Sequence, residues 1–395
     1  MDLRYGINPG QAATAVPVTA GKWPVRVVNG EPSFTNLLDA LNAWQLVREA
    51  SQALGKPAAT SFKHVSPAGA AVAGPVDEVM ASLYGVDGSR VGELTSAYLR
   101  ARDADPKSSY GDFAAVSHPV DLELADVLAG LVCDGIIAPG YEPGTVERLS
   151  AKKKGRFLVM EIDQAFVPPR EEAREVFGVR LSQERPRSSE AALEQVTGDV
   201  LPDEAVEDLR LGMAVLRYTQ SNSVCYVRGG MTIGIGAGQQ SRVDCTRLAG
   251  AKADIWWLRR HPAVRELAFG EEVRRQDRIN WQVRWCEGDL TAEELQRLKH
   301  DLARPAGPAG PAEAFGQREE AQGLDWRTEW LRGLERVAFV SDGALPFRDN
   351  VDHAHRHGVR FIAESGGSVR SDEVAAACRE YGISLARTGV RLFHH

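Results

Sequence analysis

The apolar positions Leu37, Leu38, Leu41, Trp44 and Val47 keep the spacing of one helix face, which predicts a helix from Leu37 to Leu54. Thr35 or Asn36 caps its start in this reading, and Gly55 followed by Pro57 stops it. The next run, Ala58 to Phe62, is short and uncharged and reads as a buried strand, after which Lys63, His64, Pro67 and Gly69 read as a loop. Lys63 and His64 thus sit at the carboxyl end of a strand, where open α/β sheets gather their ligands.

The alternation returns along the chain. A helix from Leu122 to Val132 leads to a strand from Gly135 to Ala138 and a Pro139-Gly140 turn, with Asp134 at the junction. A helix from Glu204 to Arg217 leads to a hairpin whose strands, Val224 to Val227 and Met231 to Ile235, flank an Arg228-Gly229-Gly230 turn. Near the end come strand Val337 to Val340, helix Val351 to His357, strand Val359 to Ala363, helix Asp372 to Tyr381 and strand Ile383 to Ala386. The pattern implies an α/β protein with one unit in each half. Between them, from about Glu266 to Leu334, the chain is polar and lacks strand-like runs, so it reads as a helical insertion. Its segment 304–311, with Pro305, Pro308 and Pro311, cannot hold a regular helix and reads as a mobile surface loop.

Composition narrows the class. A chain of 395 residues has room for two or three domains, and 43% hydrophobic residues can fill their cores. The 47 basic against 54 acidic side chains leave a net charge of -7, which offers no broad positive surface to nucleic acid. An anionic substrate must then be held by a few placed arginines or lysines. Cys133, Cys225, Cys245, Cys286 and Cys378 are odd in number and lack the paired spacing of a zinc site or disulfide frame, which fits a reducing cytoplasm. The N-terminus has no signal-peptide core and no apolar run reaches ~18 residues, so neither secretion nor a membrane partner is expected.

Several groups could carry chemistry. An isolated Lys63-His64 pair is a weak signal, because a single histidine is more often a hydrogen-bonded structural residue. Its company is Arg4-Tyr5-Gly6, Asn222 within Gln220-Ser221-Asn222-Ser223, and Arg242 after the glycine-rich run that starts at Gly234. Those glycines match neither a dinucleotide nor a P-loop spacing, and close backbone packing at a turn explains them equally well. The run Lys152, Lys153, Lys154 and Arg156 reads as a solvated face. His353 and His357 would share a helix face, but no third ligand joins them and no metal site is assigned.

Taken together, RYGINPGQ, FTNLLDALNAWQLV, SFKHVSPAGAAV, SSYGDF, DGIIAPGYE, YTQSNSVCY, GIGAGQQSR, KADIWWLRRHP, PFRDNVD and the final RLFHH resemble the AICAR transformylase family, from Leu3 to His395. The resemblance implies two cytidine-deaminase-like three-layer α/β units: 1–172, and 173–265 joined to 334–395, with 266–333 as the helical insertion. It implies a homodimer with active sites at the interface, and formyl transfer from 10-formyltetrahydrofolate to the 5-amino group of AICAR in purine biosynthesis. His64 would be the base and Lys63 the partner of the oxyanion or leaving nitrogen. Arg4, Tyr5, Gly111, Asp134, Asn222, Arg242 and Arg391 would bind AICAR, with arginine suited to its phosphate. Val243, Pro346, Phe347, Asp349, Asn350, Ser368 and Val369 would bind the folate, and a potassium ion is implied near the C-terminal strands.

The chain departs from the family at named places. Gly10 stands where the family has a histidine, Ala344 and Leu345 replace paired phenylalanines, and Tyr110 replaces a phenylalanine. Losing a stacked aromatic pair removes on the order of 1 kcal/mol beyond burial, enough to shift substrate affinity or identity. The cyclohydrolase half of the bifunctional protein is not part of this sequence, so a separate cyclohydrolase is expected to close the purine ring. The other readings are the same chemistry on an AICAR analogue, a non-catalytic nucleotide-binding homologue and an interaction scaffold built on the insertion. The RLFHH ending reads as a buried chain end.

Overall fold

The computed structural model describes residues 1–185, 191–265, 267–298, 303–305 and 326–395. Strands β1 (Val25–Asn29), β2 (Ala58–Phe62), β3 (Pro67–Val72), β4 (Asp112–Val116), β5 (Cys133–Ala138) and β6 (Leu158–Ile162) form one mixed sheet in the order β1-β6-β5-β4-β2-β3. Strands β7 (Glu194–Thr197), β8 (Val224–Val227), β9 (Thr232–Gly236), β10 (Val337–Ser341), β11 (Val359–Glu364) and β12 (Ser384–Arg387) form a second, in the order β7-β12-β11-β10-β8-β9. The orders are the same when each sheet is counted from its own first strand. In both, three central strands run parallel and an antiparallel hairpin follows on one side.

Helices cover both faces. Along β4, Phe113 and Ala115 join the core under α1 (Phe34–Leu54), while Ala114 and Val116 join the core under α2 (Glu93–Asp103) and α3 (Leu122–Ala129). In the second sheet Ala338 and Val340 face α4 (Asp203–Leu216), and Val337 and Phe339 face α5 (Arg242–Leu258) and α6 (Asp349–Arg356). Burial on both faces explains why these strands lack polar alternation. A last helix, α7 (Ser371–Glu380), precedes β12.

Several boundaries differ from expectation. Ser33, not Thr35 or Asn36, caps α1: its hydroxyl accepts from the Asn36 N–H, and the Asn36 side chain accepts from the Ser33 N–H. Pro67 and Gly69 lie in β3 and not in a loop. Proline is tolerated at the first position of a strand, and glycine is required at 69 because the Ala101 carbonyl of α2 occupies the place of a side chain. Asp134 is the second residue of β5 and not a junction. Within the insertion, helices Arg275–Glu287, Ala292–Arg297 and Trp326–Leu331 agree with the polar pattern. A short antiparallel pair, Leu267–Phe269 with Ala303–Pro305, contradicts the expectation of no strands, since three residues are too few to leave a period. Of the segment read as a mobile loop, 306–311 lies outside the described residues.

The two sheets are clasped at β3 and the β8-β9 turn. The Val72 N–H donates to the Gly230 carbonyl at 2.9 Å, and buried Arg100 of α2 donates to the Val72 and Gly229 carbonyls. Gly229 and Gly230 take left-handed φ of 60° and 76°, which leaves their N–H groups pointing at Asp208 of α4, at 2.8 and 2.6 Å. Burial pushes the Asp208 carboxyl up to about 6 from an ordinary 3.8, although these N–H groups and Arg100 pull it back. The folded state therefore holds this proton more tightly than the unfolded state. Its stabilising effect is full below the unfolded value and is lost as pH rises through about 6. Relative to Asp208→Asn, the wild type should lose up to about 3 kcal/mol between pH 4 and pH 7, measured as the difference in urea unfolding. A pH-independent difference would refute this account.

Candidate functional site

Lys63 to Ser66 form the tight turn between β2 and β3, with the Lys63 N–H bonded to the Ser66 carbonyl at 2.9 Å. His64 and Val65 take left-handed φ of 55° and 57°, as a two-residue hairpin turn requires. A β-branched residue is strained there, and such strain gathers at functional sites. The turn is held from below: the Val65 N–H donates to Asp39 of α1 at 2.7 Å. Lys63 is half-buried and its ammonium donates to the Tyr110 carbonyl at 2.7 Å, while His64 is exposed. Because β2 runs antiparallel to β4, its carboxyl end lies beside the amino ends of β4 and β5. The turn is therefore at the opposite end of the parallel strands from the one the general rule for α/β sheets favours.

Gly111 (φ 75°) and Asp134 lie at those amino ends, joined through the Gly111 N–H to the Val132 carbonyl at 2.9 Å. Asp134 pairs with Lys153 at 2.5 Å, and Lys152 donates to the Cys133 sulfur at 2.9 Å. Part of the basic run read as a solvated face is thus bound to this region. Beneath it, buried Arg102 pairs with Asp112 at 2.5 Å and donates to the Val132 carbonyl at 3.1 Å, fixing the segment from below. Arg4 and Tyr5 pack beside the start of α1, with the Phe34 N–H on the Tyr5 carbonyl. Arg4 keeps an exposed guanidinium bonded to the Tyr5 hydroxyl at 3.1 Å.

A second group forms at the carboxyl end of β10. Asn222 donates to the Gln239 and Gln240 carbonyls at 3.0 and 3.1 Å and accepts from Arg242, the first residue of α5, at 2.7 Å. Arg242 is buried and paired with Asp342, which also accepts from the Ser221 hydroxyl at 2.6 Å and from the Ser223 N–H and hydroxyl at 2.8 and 2.9 Å. The guanidinium expected for a phosphate is thus committed inside the protein, whereas Arg391 is exposed and stands over the Phe393 ring. A pocket of about 240 Å³ opens here between Ser221, Asn222, Gly238 to Gln240, Phe393 and His395. The final residues are not a buried end. Only Leu392 enters the core, while the His394 backbone pairs with Ser221 and leaves Phe393 and His395 on the pocket.

The two groups meet where the Gln220 N–H donates to the Ser66 hydroxyl at 3.3 Å. Of the residues expected at a folate, half-buried Val243 follows Arg242. Phe347 is exposed and lies under the Arg370 guanidinium, which ties the 346–348 loop to the segment of Ser368 and fully exposed Val369. Pro346 is half-buried in that loop, and Asp349 opens α6. Asn350 is buried, accepting from Thr246 at 3.0 Å and donating to Asp349 at 2.8 Å, so its amide serves the start of α6. Leu345 is buried as well, which leaves Ala344 as the position where a lost phenylalanine changes the exposed surface. Asp39, Asp342, Ser66 and Phe393 were absent from the sequence-based site. A larger cavity of about 340 Å³, between Trp257, His261, Trp326 and Trp330, shares no lining residue with the pocket. His357 pairs with Asp254 at 2.7 Å, and among the described residues no cluster of histidine, cysteine and carboxylate side chains could hold a metal.

Two topologically matched α/β halves, with a Lys-His turn on one and an Asn-Arg pair on the other, define a protein whose candidate site is assembled from both. A family model described as the AICARFT/IMPCHase bienzyme matches residues 1–252, and the chain belongs to that family. Relatives called bifunctional purine biosynthesis protein PurH include those of Magnetococcus marinus, 30% identical over 402 residues, and Roseobacter denitrificans, 30% over 399. A third, from Cereibacter sphaeroides, is 29% identical over 403 residues. Each alignment covers 100% of this chain, and the chain spans 59% of the length of these relatives.

Proposed function

We propose that this protein transfers the formyl group of 10-formyltetrahydrofolate to the 5-amino group of AICAR, in purine biosynthesis. The observation that carries this reading is the Lys63-His64 pair on a strained turn that touches the Gln220–Asn222 loop, within a chain of this family. The amine of AICAR is a weak nucleophile because its lone pair is delocalised into the ring. Its nitrogen attacks the formyl carbon while His64 takes the amine proton. Lys63, a donor beside the turn, stabilises the oxyanion of the tetrahedral intermediate. The bond from carbon to the folate nitrogen then breaks, and that nitrogen leaves with the proton that His64 returns. Exposed Arg4 and Arg391 are the free cations for the phosphate, and Arg242 acts by holding Asn222.

In this reading the protein works in the cytoplasm, and two copies pair so that each site is completed at their interface. Each half is cytidine-deaminase-like, a view that the matching strand orders favour. None of the described helices is long and apolar enough to cross a membrane. The buried carboxylates at the carboxyl ends of β10 and β11, Asp342 and Glu364, already face Arg242 and Arg387. These carboxylates are thus committed to arginine, and no step of the transfer above passes through potassium.

The test is incubation with AICAR and 10-formyltetrahydrofolate, following formyl-AICAR by mass spectrometry and tetrahydrofolate by absorbance. Matched formation of both products is expected. Binding of both ligands without product would overturn the reading and move it to an AICAR analogue, which Gly10 and Ala344 favour, or to a non-catalytic homologue.

A further inference from the structure

The turn that carries His64 rests on a carboxylate that the chemistry above does not use. Asp39 lies in α1, on the side facing the β2-β3 turn, and accepts the Val65 N–H at 2.7 Å. The His64 backbone and imidazole and the Asp134 carboxylate lie close enough to act on the same carboxylate. Asp39 is half-buried near the start of α1, where a carboxylate is costly unless it is bonded, and its hydrogen-bond partner is the strained Val65.

We infer that Asp39 is a positioning residue for His64: its carboxylate locks the left-handed His64-Val65 turn through the Val65 N–H and lies near the imidazole, favouring the cation formed when His64 takes a proton. The inference rests on the proposed formyl transfer for its kinetic consequence, though not for its structural one. Two effects are combined. The Val65 N–H would lack a partner without the acceptor, and two residues in a sparsely allowed backbone region need such a bond to stay there. A fixed negative charge beside a base stabilises the base's protonated form in the transition state, as oriented acid-base pairs do generally. Burial raises the Asp39 carboxyl above the ordinary range, opposed in part by the Val65 N–H and by the imidazole.

The experiment compares wild type, Asp39→Asn, His64→Ala and the double variant in the formyl-transfer assay. Asparagine keeps an oxygen for the Val65 N–H and removes the charge. Asp39→Asn should lose about tenfold to a hundredfold in kcat, with the KM for AICAR within about twofold of wild type. In the His64→Ala background the same change should cost less than about twofold, because the residue through which Asp39 acts is gone. Equal losses in both backgrounds, or no loss with His64 present, would overturn the inference. Should wild type make no formyl-AICAR, the proposed function fails separately, and hydrogen exchange then decides the role of Asp39. In Asp39→Ala the His64 and Val65 amides should exchange at least about tenfold faster, and unchanged exchange would overturn it.

Discussion

Replacing Asp342 with alanine should destabilise the protein by about 3–5 kcal/mol, the usual cost of leaving a buried charge without its counter-ion. Asp342 is fully buried and gathers Arg242, the Ser221 hydroxyl and both the N–H and hydroxyl of Ser223. Without it, Arg242 retains the Ser341 hydroxyl at 3.0 Å and the Asn222 oxygen at 2.7 Å, which satisfy hydrogen bonds and leave its charge uncompensated. Urea unfolding measures the loss. The control is Asp342→Leu combined with Arg242→Met, which removes both charges and should be less destabilising than Asp342→Ala alone. A cost below about 1 kcal/mol for Asp342→Ala would mean that the pair contributes little to holding this end of the sheet. Substrate binding should weaken too, because Asn222 and the Ser221 loop are tied to the same carboxylate.

Helices α1, α3 and α4 show one apolar side, while α2, buried all round with Arg100, Arg102 and Asp103, and α5, without an apolar stripe, left no such signal. The central strands were legible because each is buried on both faces. That burial made Ala58–Phe62 and Val224–Val227 visible at their true limits. What failed was local. Asn36 completes a capping box usually completed by glutamate or glutamine, so the signal for Ser33 was hidden. Pro67 and Gly69 resembled a break because their roles depend on neighbours: an edge position for one and the Ala101 carbonyl for the other.

The site divides in the same way. Lys63, His64, Asn222 and Arg242 could be named from motifs, since the motif marks the residue type at a position. Whether a charge is free is a tertiary fact, and it separates Arg391 from Arg242: one stands over Phe393 in solvent, the other is paired with Asp342 from a segment 100 residues away. Asp39 and Asp342 carry no signature in the sequence for the same reason, because a carboxylate's role is set by the groups opposite it. Phe393 lay in the ending read as buried, yet its ring lines the pocket. It also stands near Arg242, at 6.0 Å from guanidinium to ring centre.

His64→Ala should lower kcat for formyl transfer by about 10²- to 10⁴-fold, the range typical of removing a general base, with AICAR affinity nearly unchanged. The imidazole is exposed at the tip of the turn and makes no structural bond of its own, so its removal should leave the fold intact. Lys63→Met should cost a comparable 10²- to 10³-fold if the ammonium stabilises the oxyanion, and this loss should appear in kcat rather than KM. The ammonium also donates to the Tyr110 carbonyl, so Lys63→Met loosens the Tyr110-Gly111 segment and AICAR affinity must be measured beside it. The two losses should combine to less than their product, because in the proposed mechanism both residues act in one proton-coupled step. Steady-state kinetics of the single and double variants decide this. A fully multiplicative double loss would separate the residues into independent roles, and wild-type kcat in His64→Ala would remove the imidazole from the chemistry and leave Lys63 as the group on which the transfer turns.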